Sequence, residues 1–156
     1  CKKFNLKMII AGRCRKDTMA REQELSFYRN YLKTDDFTLE ANEPEKFGSF
    51  IIALQSRIII GSYSTLLREV ICVNKKIFVC NYSGHSDLDF VENKLKKFSS
   101  KKNSYETFEK KTSTILNISE NNYFKYLGKN KEYIMPNSRD FHEKFKNTVY
   151  NIINSQ

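Results

Sequence analysis

Short apolar runs alternate with amphipathic segments along the first half of the chain. The apolar runs cover Leu6–Gly12, Phe37–Asn42, Arg57–Gly61 and Lys75–Asn81. Their lengths, and the Gly or Asn that ends each of them, are typical of buried β-strands. Because the runs do not alternate in polarity, they favour a parallel sheet whose two faces are both covered by helices.

Three segments with helical spacing of apolar residues separate these runs: "REQELSFYRNYL", a segment that opens at Pro44, and "TLLREVICVN". Proline is tolerated at the first position of a helix, where its missing N–H is not needed. The regular alternation of strands and helices predicts an α/β fold with a Rossmann-like, doubly wound parallel sheet. The helix after Pro44 is predicted to bury one stripe, formed by Phe47, Phe50, Ile51 and Leu54.

After Asn81 the pattern predicts loops and helices. A helix is expected over Asp87–Phe98, and "SSKKNS" breaks it. "YETFEKKTSTILNIS" is an amphipathic helix, and the next helix is predicted to run from the capping residue Ser119 to Gly128. "SRDFHEKFKNTVYNIINS" is predicted as a last helix. Since no repeat or long linker divides the chain, residues 1–156 are expected to form one domain with a helical C-terminal part.

Composition narrows the function classes. The 156 residues are 40% hydrophobic and 29% charged, with five Gly and two Pro, which argues against a disordered or fibrous chain. The net charge of +9 favours anionic partners, or else reflects a lysine-rich solvated surface. No apolar run reaches the roughly 20 residues that cross a bilayer. The four cysteines show no C-x-x-C or zinc-site spacing, which favours the reducing cytoplasm.

Polar loops follow the predicted strands, at the edge of an open parallel sheet where ligands bind. Gly12 and Arg13 follow the first strand, and Asn81–His85 follow the fourth. Gly61–Thr65, after the third strand, offer hydroxyl groups beside the free N–H groups and positive dipole end of the next helix, which suits a phosphate. The simpler alternative is that Ser64 or Thr65 only caps that helix. The loop is neither a P-loop nor a G-x-G-x-x-G motif.

Charged and imidazole side chains near this edge suggest further roles. Arg13 is suited to pair with a phosphate, or else is an ordinary surface charge. Glu69, beside Arg68 in the first turns of the helix, is suited to accept a hydrogen bond from a ribose hydroxyl, or else complements the helix dipole. His85 is suited to donate to a phosphate or to transfer a proton, although a single loop histidine often has no chemical role.

Some chemistries lack their motifs in this sequence. There is no H-E-x-x-H, clustered Cys/His or dense carboxylate set, so no metal site is predicted. No G-x-S-x-G indicates a hydrolase. Basic and aromatic residues are interleaved in "KLKKFSSKKNSYETFEKK", but this segment matches no nucleic-acid recognition module, so no nucleic-acid partner is predicted.

The segments "MIIAGR", "FTLEANE" and "RIIIGSYSTLLREVICVNKKIFVCNYSG", in this order, resemble the C-terminal half of GT-B glycosyltransferases. The likeness is greatest to bacterial proteins of capsule or lipopolysaccharide biosynthesis, in which a strand, a G-x-x-STLLRE-A helix and a GK-K-V strand are typical. Here Val70 replaces the small Ala, and Asn74 replaces the Gly before Lys75. The tail "FEKKTSTILNISENNYFKYLGKNKEYIM" also resembles the helical end of such chains.

The resemblance implies that residues 1–156 are the nucleotide-sugar-binding half of a larger GT-B enzyme whose acceptor half is missing here. Arg13, which would neutralise the leaving phosphate, and His85 are the candidate catalytic residues. Glu69 would bind the ribose, and Asn81–His85 would meet the sugar or base. The candidate donor-binding and phosphate-binding residues are Gly12, Gly61, Ser62, Ser64, Thr65, Arg68, Glu69, Asn81 and Gly84.

The implied function is glycosyl transfer in surface polysaccharide biosynthesis, with the nucleotide-sugar as donor substrate and no cofactor or metal. The implied acceptor is a glycan or a lipid-linked glycan, and the implied location is the cytoplasm, where the basic surface would meet the anionic inner membrane. Two alternatives stay open on the same scaffold. One is a sugar-nucleotide epimerase or a polyol-phosphate transferase, and the other is a non-catalytic α/β binding module with ordinary helix caps.

Overall fold

The computed structural model of the chain describes residues 1–43, 48–86 and 96–134, without the side chains of residues 129–134. The fold is α/β, as predicted, and the strand pairs are all parallel in the described part of the chain. The chain folds as two compact units, Cys1–Arg57 and Ile58–Gln156. The single domain expected over residues 1–156 stays a prediction. None of the described helices is both long and apolar enough to cross a membrane.

The first unit alternates strands and helices. Its elements are β1 (Met8–Ala11), α1 (Met19–Leu32), β2 (Phe37–Glu40) and α2 (Gly48–Gln55), after a short 3₁₀ turn at Lys2–Phe4. The two strands pair along their whole length as a parallel, two-stranded sheet. The apolar runs thus predicted both strands, with ends that differ by at most two residues.

Local sequence sets both ends of α1. The hydroxyl of Thr18 accepts a hydrogen bond from the backbone N–H of Arg21 at 3.2 Å, which satisfies one free donor of the first turn. Lys33 ends the helix in the left-handed conformation, with φ of 52°, and its N–H donates to the carbonyl of Arg29. On the inner face, the ring of Tyr28 packs edge-on against that of Phe37, with centroids 6.4 Å apart.

The buried stripe predicted for α2 is wrong in part. Ala53 is the buried residue of this helix, whereas Ile51 and Leu54 are 48% and 39% exposed. Phe50 of the predicted stripe is half-buried, so the packed side of the helix carries the small side chain of Ala53 and Ile51 and Leu54 turn toward solvent. Pro44 and Phe47 of the prediction lie outside the described residues.

The second unit contains a three-stranded parallel sheet in the order β3-β4-β5. A helix connects β3 to β4, and two consecutive helices follow β5. The elements are β3 (Ile59–Gly61), α3 (Thr65–Cys72), β4 (Ile77–Cys80), β5 (Ser99–Ser100), α4 (Tyr105–Asn117) and α5 (Glu120–Ile134). A 3₁₀ turn at Lys96–Phe98 leads directly into β5.

The fifth strand corrects the sequence prediction. Ser99 and Ser100, which were expected to interrupt a helix, pair in parallel with Val79 and Cys80. Both serines are buried, and the fully buried ring of Phe98 anchors the segment immediately before them. Of the helix predicted over this region, residues 87–95 lie outside the described part, and the remainder is the 3₁₀ turn.

Serines cap the last two described helices. The hydroxyl of Ser104 accepts from the N–H of Thr107 at 3.4 Å, and that of Ser119 accepts from the N–H of Asn122 at 3.3 Å. The helix that begins after Ser119 does not end at Gly128, as predicted, but continues to Ile134. One exposed glycine costs a helix only about 1 kcal/mol, which is too little to end it. The last predicted helix lies outside the described residues.

The core of the second unit joins the sheet to three helices. Its most buried side chains come from α3, β4, the 3₁₀ turn, α4 and α5, and they include Leu67, Val70, Ile71, Ile77, Phe78, Val79, Phe98, Ile115, Tyr123 and Leu127. The hydroxyl of Tyr123 donates to the carbonyl of Lys75 at 2.7 Å and accepts from the N–H of Ile77 at 3.2 Å. This core fixes the start of β4 and leaves the carboxyl ends of the three strands at one edge.

Candidate functional site

The loop after β1, predicted to contact phosphate, is bound by a carboxylate of the chain itself. Glu24 of α1 accepts hydrogen bonds from the backbone N–H groups of Arg13 at 2.8 Å and Cys14 at 3.2 Å. The N–H of Gly12 donates to the carbonyl of Glu40 at 2.8 Å. The N–H groups of Gly12, Arg13 and Cys14 are therefore engaged, whereas the Arg13 side chain is exposed.

Arg21 holds the end of β2 beside the same loop. Its guanidinium donates to the carbonyl of Glu40 at 3.1 Å and to that of Leu39, and it lies 3.6 Å from the Glu24 carboxylate. The two side chains are only 14% and 10% exposed. A Cβ on Gly12 would lie 2.5 Å from both Arg21 Nη1 and the Glu40 carbonyl oxygen, so only glycine fits there. Gly12 thus has a packing role in the first unit.

The electrostatics of Glu24 follow from these contacts. Burial alone would raise the pKa of its carboxyl group. The hydrogen bonds from Arg13 and Cys14 and the charge of Arg21 outweigh burial, so the pKa lies below its ordinary value. Sequence reasoning did not identify Glu24 or Arg21. Their i,i+3 spacing on a predicted helix was visible, but their contacts with two other segments were not.

The lowered pKa makes the stability of the first unit dependent on pH. The ionised Glu24 contributes fully above the ordinary glutamate pKa of about 4.3, and its contribution is lost as the pH falls through the lower pKa of the folded state. Glu24→Gln should abolish the part of the acid-induced loss of stability that comes from Glu24. Urea unfolding at a series of pH values measures the free energy of unfolding. Glu22→Gln, an exposed control on the same helix, should keep the wild-type pH profile.

In the loop after β3, Ser64 caps the next helix, which is the simpler of the two roles considered for it. Its hydroxyl accepts from the N–H of Leu66 at 3.2 Å and starts α3. A Cβ on Gly61 would lie 3.1 Å from Leu67 Cδ1, so glycine lets this leucine pack under the loop. The hydroxyl residues Ser62 and Thr65 are exposed at the same helix N-terminus. These two remain the side chains best placed to donate to an anion here.

The first turns of α3 carry both charged residues that the sequence singled out. The guanidinium of Arg68 lies over the ring of Tyr63, 5.8 Å from its centroid, which holds both side chains by a cation–π contact. Glu69 is exposed. The Arg68–Tyr63 contact links the helix to its preceding loop and keeps a cation close to the edge of the sheet.

Asn81 organises the loop after β4. Its side chain is buried, its amide N–H donates to the carbonyl of His85 at 2.8 Å, and its amide oxygen accepts from the Ser83 hydroxyl at 2.7 Å. The backbone N–H of Asn81 donates to Ser100, which joins this loop to β5. Gly84 has a φ of +79°, a conformation that side chains rarely adopt. Asn81 and Gly84 thus shape the loop, and the His85 side chain is exposed on it.

The loop after β5 was not among the predicted site loops, because β5 itself was not predicted as a strand. Lys101 and Lys102 follow β5 directly and are exposed. Ser104 then caps α4, so a second helix begins beyond the carboxyl end of a strand in this sheet. The edge therefore combines two helix N-termini with two lysines, and all of these groups favour negative charge.

Each of the three loops of this edge also presents an exposed tyrosine. Tyr63 follows β3, Tyr82 follows β4, and Tyr105 is the first residue of α4 after β5; they are 55%, 40% and 73% exposed. Burial, together with a hydrogen bond and the charge of Cys80, raises the pKa of Tyr82, so its hydroxyl stays neutral. Exposed tyrosines offer flat faces for stacking and hydroxyls for hydrogen bonds. We call Tyr63, Tyr82 and Tyr105 the tyrosine row.

The structure brings together nine of the eleven predicted site residues. They lie at or beside the carboxyl edge of the second unit's sheet: Gly61, Ser62, Ser64, Thr65, Arg68, Glu69, Asn81, Gly84 and His85. Gly12 and Arg13 belong to the first unit. Within the described ranges, no group of three or more His, Cys, Asp or Glu residues is arranged to hold a metal ion.

Comparison with known proteins yields no relative. No protein-family model matches the chain, and no curated protein or solved structure is significantly similar to it.

Proposed function

We propose that the second unit binds a nucleotide-sugar and that the chain is the donor-binding half of a glycosyltransferase of surface polysaccharide biosynthesis. One observation carries the proposal. At the carboxyl edge of β3-β4-β5, three neighbouring loops carry groups that are suited to bind an anion together with the tyrosine row. A nucleotide-sugar has both matching parts, because its diphosphate is an anion and its base and sugar present flat faces.

The diphosphate is assigned to the two helix N-termini and the side chains around them. Ser62 and Thr65 lie at the start of α3, and Lys101 and Lys102 precede α4. Backbone N–H groups at a helix start and flexible lysines both stabilise phosphate oxygens. In glycosyl transfer the diphosphate gains charge as the sugar departs, so these groups would also stabilise the leaving group.

The base or sugar is assigned to the tyrosine row, and His85 is the candidate for proton transfer or for a hydrogen bond to the donor. Arg13 belongs to the first unit, where its side chain is exposed and its backbone N–H donates to Glu24, and its role toward a leaving phosphate stays a prediction from the sequence. The proposed acceptor is a glycan or lipid-linked glycan. The net charge of +9 supports contact with an anionic membrane face in the cytoplasm.

Lysine substitutions test the anion half of the site. We expect Lys101→Gln combined with Lys102→Gln to weaken binding of UDP, GDP or CMP about tenfold, because charged hydrogen-bond donors to phosphate are lost. Isothermal titration calorimetry on the full chain measures the change. Lys125→Gln, an exposed lysine on α5, is the matched control and should leave affinity unchanged.

Tyrosine substitutions test the ring-binding half. We expect Tyr63→Ala and Tyr105→Ala each to weaken nucleotide binding about fivefold or more, since stacking on an aromatic side chain contributes about 1–3 kcal/mol. Binding of inorganic pyrophosphate, which has no ring, should not change. If no nucleotide binds at all, the non-catalytic module with ordinary helix caps becomes the better interpretation. If pyrophosphate and nucleotides lose affinity equally, the tyrosine row does not contact the ring.

A further inference from the structure

Two side chains of the loop after β4 hold both backbone polar groups of His85. The N–H of His85 donates to the Ser83 hydroxyl at 3.2 Å, and its carbonyl accepts from the side-chain amide of Asn81 at 2.8 Å. The Ser83 hydroxyl in turn donates to the amide oxygen of Asn81 at 2.7 Å, which closes the circuit. We call Asn81, Ser83 and His85, joined by these three hydrogen bonds, the loop network.

Donors and acceptors are matched throughout the loop network. A hydroxyl has one O–H to donate and lone pairs to accept, and Ser83 uses both functions at once. The side chain of Asn81 donates through its nitrogen and accepts through its oxygen, and the backbone N–H of Ser83 is a second donor to that oxygen at 3.3 Å. Hydrogen bonds linked in this way strengthen one another, so removal of the Ser83 hydroxyl should loosen more than one contact.

The loop network is buried at one end and exposed at the other. Asn81 is only 4% exposed, and its backbone N–H donates to the carbonyl of Ser100 in β5 at 2.9 Å. Ser83 and His85 are exposed. A buried amide needs hydrogen-bond partners, and any nearby carbonyl would serve as one. Here the partner of the buried amide is the residue that carries the imidazole, so the core of the second unit fixes the backbone position of His85.

A loop that is fixed in advance binds a ligand at lower cost than a flexible one. Ordering the backbone of a residue on binding costs conformational entropy, and a residue that is already held does not incur this cost. The N–H groups of Asn81, Ser83 and His85 are engaged within the protein. The imidazole is therefore the group through which His85 can bind a ligand, and the loop network determines where that group begins.

We propose that Asn81 and Ser83 are positioning residues that act on the donor substrate through His85. They hold the backbone of His85, so that its imidazole meets the nucleotide-sugar without a separate ordering step. In this assignment Asn81 does not touch the donor itself. The inference rests on the proposed function, because a positioned imidazole matters only if the second unit binds that donor.

A double-mutant cycle tests the proposal, with whichever of UDP, GDP and CMP binds the wild-type chain most tightly. We expect His85→Ala to weaken binding about fivefold, the effect of losing one hydrogen bond. Ser83→Ala should weaken it about threefold, but should have no further effect in a chain that already carries His85→Ala. Isothermal titration calorimetry on the full chain measures the four affinities. Ser86→Ala, at an exposed serine next to His85, is the matched control and should leave affinity unchanged.

Ser83→Thr restores the hydroxyl and should bind the nucleotide like the wild-type chain. Circular dichroism checks that every variant is folded. The positioning role is overturned, with the proposed function intact, by unchanged affinity in Ser83→Ala or His85→Ala, by additive effects of the two, or by a Ser83→Thr variant as weak as Ser83→Ala. A wild-type chain that binds none of the three nucleotides overturns the proposed function, and this inference with it.

Discussion

Replacing Arg21 by methionine is expected to destabilise the first unit by about 3 kcal/mol. The guanidinium is nearly buried, and its removal leaves the carbonyl of Leu39 without this donor and the Glu24 carboxylate without its cation. Breaking a buried charged pair by removing one partner costs about 3–5 kcal/mol. The lower end of this range applies because the variant retains other hydrogen bonds. Glu24 still accepts from two backbone N–H groups, and the Glu40 carbonyl still accepts from the N–H of Gly12.

Hydrogen exchange monitored by mass spectrometry measures this loss in the first unit alone. We expect amide protection in peptides that cover β1 and β2 to fall about 100-fold, the change that corresponds to about 3 kcal/mol. Arg29→Met is the matched control, because Arg29 lies on the same helix but is 56% exposed and pairs with an exposed Asp35. Surface pairs of this kind contribute at most about 1 kcal/mol. Equal effects of the two variants would contradict the structural role assigned to Arg21.

The sequence pattern predicted those parts of the fold whose information is local. Four strands were visible as apolar runs, and α1, α3 and α4 as amphipathic segments. Capping residues were recognisable before α3 and α5, at Ser64 and Ser119. The fifth strand was not visible, because Ser99 and Ser100 have no strand pattern of their own. Their conformation is set by pairing with β4, which is distant in sequence, and by the adjacent ring of Phe98, which packs on Tyr123 and Tyr126 of the distant helix α5.

The same limit applies to the candidate site. A hydroxyl residue before a helix was recognisable from sequence, and both of its proposed roles were stated; the structure shows that Ser64 caps α3. The contacts of Arg21 and Glu24 with the loop after β1 and the end of β2 were not predictable. They join residues 10 to 19 positions apart, in segments that are brought together only when the whole unit folds. The tyrosine row could not be recognised without the strand order β3-β4-β5, because only the sheet brings Tyr105 to the same edge as Tyr63.

The second unit should respond most strongly to loss of Phe98. Its ring is fully buried and packs on the rings of Tyr123 and Tyr126, with centroids 4.9 and 5.0 Å apart. We expect Phe98→Ala to cost about 3–5 kcal/mol, the usual range for deleting a buried aromatic ring. Phe98→Leu keeps most of the apolar volume and should cost less than about 1.5 kcal/mol. Urea unfolding followed by tyrosine fluorescence measures both values.

Phe98→Ala should also reveal whether the edge of the sheet depends on β5. Phe98 directly precedes Ser99, and Ser100 accepts the hydrogen bond from Asn81 that joins the loops after β4 and β5. A loosened β5 would release this bond and displace Lys101 and Lys102 from the helix N-terminus that follows them. Nucleotide affinity should therefore fall in Phe98→Ala under conditions where the chain is still folded, and should be retained in Phe98→Leu. Unchanged affinity in a folded Phe98→Ala variant would place the anion site on α3 alone, because the groups after β5 would then be dispensable.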